Sequence, residues 1–536
     1  MGIEKGVRYG QLAVLFLAYV ASQSDHRLCA VEPWVEKHRQ TLEMATGWNI
    51  VVKDATDDRL ADLLSVIGSS EQERRDRIAL RLGQGTIRAY NLPTDKARSD
   101  TTSFSVYHQP RKETEGSNLL NFGYSKDHRP DLVQYRQMLA TLDPMGMPLL
   151  GATLSGNGTD ESHYLPTWQK LVEIIGHKDF LFLADSKGST WNNRAKINQE
   201  GGIYCFPLAM HQPRPKLLSE WVANPPNGLE EICLEEEEAD SQSPIGQGFE
   251  VPLGSLWYDQ ESQQWYCWSE RWLVVCSYAL QQRQLKSLSA RLSKAELALE
   301  KLAKKPPKDE MALQTKIETI LKRCRVKGLI LTSIEKKIRY QKVYQGAGRG
   351  SQNRPFRRVR QTTLSLTFQR GDSAIAHQQL IAGWRLYVTN AHTERLTLEQ
   401  AVNSYREQWQ PERGFHRFKR GHLPALPIYF QDEERIRGLM FLLTIALTLF
   451  TLMEFVVRRQ LAAAQQSLSG LYPGLPKRST SRPTAEKLLA AFSGLTLYLY
   501  PDGSREITSL NSLQRQILHL MKIPESIYIV PQLVPD

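Results

Sequence analysis

One short run constrains this chain more than any other. Residues 179–185 read Asp-Phe-Leu-Phe-Leu-Ala-Asp, an unbroken apolar segment between two aspartates. Nothing in it alternates, so neither face expects water, and its length suits a strand rather than a helix. A strand buried on both faces belongs to a sheet covered by helices. The preceding residues fit that architecture. TTSFSVY (101–107) is rich in β-formers. Residues 133–142 and 147–154 flank Asp-Pro-Met-Gly, a turn signal that predicts a hairpin. Residues 160–176 predict a helix, despite Pro166 in its early part. Strand, hairpin, helix, buried strand is an α/β order.

The rest of the 536 residues is too long for one ordinary core and predicts two to four domains. Residues 1–90 read as helices, with Thr56 or Asp57 as an N-cap. Residues 210–278 start Pro-rich, carry an acidic run at 234–240, and end in Trp257, Trp265, Trp268 and Trp272. Residues 279–325 are charged and helical, broken by Pro306 and Pro307. Leu285, Leu288, Leu292, Leu299 and Leu302 hold near-heptad spacing only briefly there, so a helical hairpin is expected. Residues 336–360 contain nine Lys or Arg and no Asp or Glu. GAGRGSQNRPFRRVR (346–360) reads as a flexible basic loop. It suits contact with a DNA backbone through Arg357, Arg358 and Arg360, or else a solvated linker. LSLTF (364–368) and GWRLYVTN (383–390) read as strands, and a helix follows from Leu396. The tail, 460–536, reads as helical and then extended.

Residues 439–457 are nearly apolar and nearly long enough to cross a membrane. Glu454 and three threonines interrupt them, so a buried core helix is expected, with no membrane partner. The formal charge of +11 and pI of about 9.2 favour a polyanionic partner, nucleic acid or an anionic membrane surface. The six cysteines form no CxxC pair, which argues against a disulfide framework or zinc site and fits a reducing cytosol. Residues 11–21 are apolar but lack a clear cleavage site, so no secretory signal is expected.

Three acidic positions stand out. Asp185 ends the apolar strand, where side chains face the crevice of a parallel sheet, although an aspartate there can also cap a following helix. Asp100 precedes TTSFSVY and by pattern alone suits a turn. Glu412 lies in YREQWQPERGFHRFK (405–419). On a continuous helix Tyr405 and Lys419 fall within about 20° of Glu412, and Gln408 and His416 within about 40°. Such a stripe can hold a metal and grip phosphates, or it is simply a solvated face. Pro411 either kinks that helix or starts a new one with Glu412 in its first turn, which splits the stripe.

Together these segments resemble the insertion-sequence transposases with a DDE site. YREQWQPERGFHRFK is similar to their Y-x2-R-x3-E-x6-K signature, with Tyr405, Glu412 and Lys419 in register and Gln408 in place of the arginine. Asp100 matches the first acid. Asp185 matches the second, followed by Ser186 where arginine is usual. FGYSKDHRPDL (122–132) and GNGTD (156–160) resemble family segments between them, and YGQLAVLFLAYV and DATDDRLADLL resemble the helical region before the catalytic domain.

The resemblance spans roughly 8–460. It implies a ribonuclease-H-like mixed sheet flanked by helices, with a helical N-terminal domain and a large β/α insertion. The expected division is 1–92 for a helical DNA-binding domain, 93–209 and 391–460 for the two parts of the catalytic domain, 210–390 for the insertion, whose last strands belong to it or to the core, and 461–536 for a tail. It further implies that Asp100, Asp185 and Glu412 hold two Mg2+ (or Mn2+) ions. Tyr405 and Lys419 would bind DNA phosphates. The partners would be double-stranded DNA, as element ends and target, and a second copy of the chain in the DNA complex. The place of action would be the bacterial cytoplasm, at the nucleoid. In relatives an aromatic of the insertion stacks on a flipped base; Trp265, Trp268 and Trp272 are the candidates here, each also suited to a core. Other readings are an inactive DNA-binding remnant of such an element, a nonspecific nuclease of the same fold, and a membrane-associated basic protein.

Overall fold

A computed structural model describes residues 6–69, 72–109, 119–125, 127–211, 213–234, 243–344, 355–502 and 504–528. Four helices come first: α1 (Tyr9–Gln23), α2 (Val31–Thr46), α3 (Asp57–Gly68) and α4 (Gln72–Tyr90). Thr56 caps α3, its hydroxyl accepting from the Arg59 N–H. Then come β1 (Lys96–Val106), β2 (Val133–Leu142), β3 (Met147–Ser155), α5 (Glu161–Ile175), β4 (Leu181–Leu183), α6 (Trp191–Gln199) and β5 (Ile203–Pro207). The hairpin, the helix through Pro166 and the buried strand all form as their local patterns require.

The chain continues through α7 (Arg214–Ala223), β6 (Glu230–Ile232), β7 (Gly246–Asp259), β8 (Gln264–Ser277), α8 (Tyr278–Lys304), α9 (Glu310–Cys324), β9 (Ile330–Tyr344), β10 (Phe356–Arg370), α10 (Asp372–Leu380) and β11 (Trp384–Thr389). It ends with α11 (Leu398–Arg406), α12 (Trp409–Arg420), α13 (Glu433–Ala463), the small strand pairs β12 and β13 (Leu468–Ser469, Ser479–Thr480) and β14 and β15 (Leu497–Leu499, Arg505–Ile507), α14 (Ala485–Ala490) and α15 (Ser512–Met521). The tail therefore mixes short pairs and helices, rather than turning from helical to extended.

The architecture is α/β. One mixed sheet runs β3-β2-β1-β4-β5-β11-β8-β7-β6. β1, β2 and β3 are antiparallel neighbours, whereas β1, β4 and β5 are parallel. β11 lies between β5 and β8, antiparallel to both. Helices cover both faces. On one, Ala97, Phe182, Ala184 and Phe206 pack with Tyr164 and Trp168 of α5. On the other, Phe104, Tyr135 and Leu139 pack with α12 and α13, and Leu181 and Leu183 pack with α11. Each fully buried large apolar side chain in these layers contributes about 1.5–3 kcal/mol.

Between the neighbouring strands β8 and β11 the chain leaves the sheet for residues 278–380. α8 and α9 form the expected helical hairpin, with Leu288, Leu292 and Leu299 against Leu313, Ile317 and Leu321. The basic segment differs from expectation. Its described residues are strands, β9 and β10, paired over their full length from Ile330 with Arg370 to Tyr344 with Phe356. The β-formers Ile338, Tyr340, Val343 and Val359, interleaved with the cations, favour a ribbon over a loop. Residues 345–354, and 235–240 of the acidic run, lie outside the described residues.

The apolar segment 439–457 lies within α13, which is long and apolar enough to cross a membrane but is mostly buried within this fold. It packs along α3 closely enough that a Cβ on Gly438 would meet the Leu64 carbonyl oxygen at 2.1 Å.

Candidate functional site

The parallel pairing of β1 with β4 sets Arg98 opposite Leu183. Two residues on stand Asp100, still within β1, and Asp185, just past the end of β4. Strand alternation turns Asp100 to the face of Phe104, under α12, and the charges of both aspartates reach the Tyr164 and Tyr405 hydroxyls. Asp100 is inside a strand and does not sit in a turn. Asp185 caps no helix: Thr190 caps α6, and the Asp185 carboxylate accepts instead from the Lys187 N–H at 2.9 Å. Asp100 Oδ1 accepts from the Thr101 N–H at 2.7 Å. Both carboxylates are thus held by backbone donors, and both remain partly open to solvent.

Two tyrosines border the pair. The Tyr164 hydroxyl, from α5, donates to Asp185 Oδ1 at 2.7 Å. Burial first, then the charge of Asp185, pushes its ionisation well above the ordinary range. Tyr405 lies in the last turn of α11 with its ring 5.0 Å from that of Tyr387. Burial raises its ionisation too, followed by Tyr387 and the charge of Asp185. Both hydroxyls stay protonated, so both remain donors.

The stripe from Tyr405 to Lys419 is split, as Pro411 allows. α11 stops at Arg406, and α12 begins at Trp409 with Pro411 and Glu412 in its first turn. Proline has no N–H to continue the earlier helix, and its fixed φ suits a first turn. α12 runs along β1 in the same direction. At its start the Gln408 amide donates to the Ser99 carbonyl at 3.4 Å. Near its end the Lys419 ammonium lies 5.4 Å from the centre of the Phe104 ring. A rise of about 1.5 Å per helical residue against about 3.3 Å per strand residue puts Glu412 level with residues 100–102. Glu412 is exposed there. Among the described residues no three His, Cys, Asp or Glu converge closely enough to form a ready cation cage. The two aspartates are the assembled part, and Glu412 stands on the helix above them. This oxygen-only donor set suits a hard divalent cation that keeps several waters.

Compared with protein-family models and with curated proteins, the chain matches none.

Two buried charge networks hold this geometry, and sequence patterns pointed to neither. Arg98, fully buried beside Asp100, donates to Asp143 at 2.6 and 2.7 Å and to Glu407 at 3.0 Å. It ties the β2–β3 turn to the α11–α12 junction. Glu454, also fully buried, accepts from Arg413 and Arg417 of α12, from Arg458 of its own helix, and from the Ala485 N–H at 3.0 Å. For Glu454 the lone charge in the apolar run 439–457 was the available signal; Arg98, in a strand that also carries Lys96 and Asp100, offered none.

The segments 122–132 and 156–160 meet at the end of β2 and β3. A Cβ at Gly156 would fall 1.9 Å from the Gln134 carbonyl oxygen, and one at Gly123 would fall 2.1 Å from the Gly156 oxygen. These glycines are required by close backbone approach. Lys419 pairs with Asp127 of this loop at 3.1 Å. Arg357, Arg358 and Arg360 lie elsewhere, exposed on β10. Of the tryptophans, Trp268 and Trp272 are core residues, while Trp265 is 64% exposed near the β7–β8 turn.

Proposed function

We propose that this protein is a metal-dependent DDE transposase with a ribonuclease-H-like catalytic domain, which cleaves DNA at the ends of its mobile element and joins them to a target. The observation that carries the reading is the placement of Asp100 in β1 and of Asp185 just past the end of the adjacent parallel strand β4, both charges reaching the Tyr164 and Tyr405 hydroxyls, with α12, which carries Glu412, running along β1. The mixed sheet flanked by helices is compatible with that fold. Asp100, Asp185 and Glu412 would hold two Mg2+ or Mn2+ ions, whose part is to activate an oxygen nucleophile and relieve charge on the leaving oxygen. Tyr164 holds the Asp185 carboxylate in place. Tyr405 would donate to a DNA phosphate, and Lys419 would offer it a point charge once it leaves Asp127. The protein would act as a dimer on chromosomal DNA in the bacterial cytoplasm.

The test is strand cleavage by the full chain on duplexes carrying the sequences that flank its coding region. Cleavage in magnesium is expected, and Asp100→Asn or Asp185→Asn should each lower it on the order of a thousandfold, as for groups acting as one unit. Full cleavage by Asp185→Ala would refute the site. A second reading, an inactive DNA-binding remnant, is favoured by Gln408, whose amide is committed to Ser99, and by the lack of a closed three-carboxylate cage among the described residues. Binding without cleavage in either metal decides for it.

A further inference from the structure

The β9–β10 ribbon leaves the body of the protein after its first few residues. Leu364, Leu366, Ile330 and Ile334 tie its base to α8 and α9, and Arg370 pairs with Glu296 at 2.7 Å. Beyond Leu364, which pairs with Lys336, almost every described residue is exposed on both faces. An isolated two-stranded ribbon is marginally stable in water, so one that projects this far is suited to a partner.

The described outer part carries Lys336, Lys337, Arg339, Lys342, Arg357, Arg358 and Arg360 and no acid. Lys336 reaches Glu310 at 3.0 Å and Lys337 reaches Glu335 at 3.9 Å. The other five have no carboxylate partner among the described residues. The pairing register divides the cations between the faces. Lys342, Arg358 and Arg360 share one face with Tyr340, Tyr344 and Phe356, while Lys337, Arg339 and Arg357 share the other. So strong a charge repels a second copy of the same ribbon and fits a polyanion.

Dimensions select among polyanions. Nine residues from Lys336 to Tyr344 span about 30 Å at strand rise, close to one turn of B-DNA. A two-stranded ribbon enters a groove about 12 Å wide but not one of about 6 Å. The deep, narrow major groove of duplex RNA is closed to it. Cations on both faces meet both phosphate backbones that wall the groove. We propose that the β9–β10 ribbon is an arm that lies in the major groove of double-stranded DNA, apart from the carboxylate site. The inference rests on the transposase reading only in taking duplex DNA as the protein's substrate.

The test is equilibrium binding of the full chain to a duplex, a single strand of the same sequence, and a duplex RNA, between 50 and 200 mM salt. The variants are Arg357→Gln/Arg358→Gln/Arg360→Gln and the corresponding triple lysine variant. Three lost phosphate contacts should lower the log–log salt slope by about 2.7, so wild-type affinity falls about 40-fold further than the glutamine variant's across that range. The lysine variant should keep the wild-type slope. Methylating guanine N7, which faces the major groove, should weaken binding, whereas methylating adenine N3 in the minor groove should not. An unchanged slope in the glutamine variant, preference for the single strand or RNA, or sensitivity only to adenine N3 overturns the arm. If the arm holds and no cleavage occurs in metal, the transposase reading alone has failed.

Discussion

Replacing Glu454 with glutamine should loosen the protein at α12 without altering any residue of the proposed site. The carboxylate is fully buried in α13 and lies among the guanidinium groups of Arg413, Arg417 and Arg458, the first and last at 2.9 and 3.1 Å. Arg417 keeps a second partner, Glu486, at 2.8 Å, but Arg413 and Arg458 have no other acid among the described residues. Glutamine preserves shape and one acceptor while leaving three cations around a neutral group. Breaking a buried pair in this way costs about 3–5 kcal/mol, a large share of the ~5–15 kcal/mol that holds a typical domain folded. α12 also carries Glu412 and Lys419, so Glu454 is a positioning residue. Thermal unfolding should begin at lower temperature, and amide hydrogen exchange should rise first in α12 and in α13 around Glu454. A cycle with Arg413→Gln should return a coupling of at least about 0.5 kcal/mol, as neighbours in one network do. A loss under about 1 kcal/mol, with unchanged exchange in α12, would refute the claim that this carboxylate holds the helix.

Two further outcomes follow from the same geometry. Tyr164→Phe removes the donor 2.7 Å from Asp185 Oδ1 and should raise the magnesium needed for half-maximal cleavage about tenfold, the usual scale for a partner that orients a ligand; an unchanged magnesium titration counts against the role. Burial pushes the Glu486 carboxyl upward, but the hydrogen bonds and charge of Arg417 outweigh it and hold it at about 2, against 4.5 when free. Its folded value is depressed, so its contribution, at most about 3 kcal/mol, is present above pH 4.5 and fades as pH falls toward 2. Glu486→Gln should flatten acid unfolding in that window, and a parallel acid profile would show that the pair stabilises nothing.

Much of the fold was written in local pattern. The apolar run at 179–185, the Asp-Pro-Met-Gly turn, the leucines of α8 and α9 and the break at Pro411 each act within a few residues, and each became the element its spacing demands. The strands at 330–344 and 356–370 were not legible in the same way, because Gly, Arg and Ser at 346–354 favour a loop locally whereas the β-forming residues on either side pair across strands.

What the sequence alone determined about this protein is therefore its element types and its excess of positive charge, since both depend on neighbours in the chain. Only the tertiary structure decided that Asp100 and Asp185 act on the same two tyrosines, because the pairing of β1 with β4 joins segments some eighty residues apart. Only it decided that Arg98 and Glu454 are buried among charged partners from other segments. A buried charge is stable through partners brought by other segments, and no spacing rule names those partners in advance.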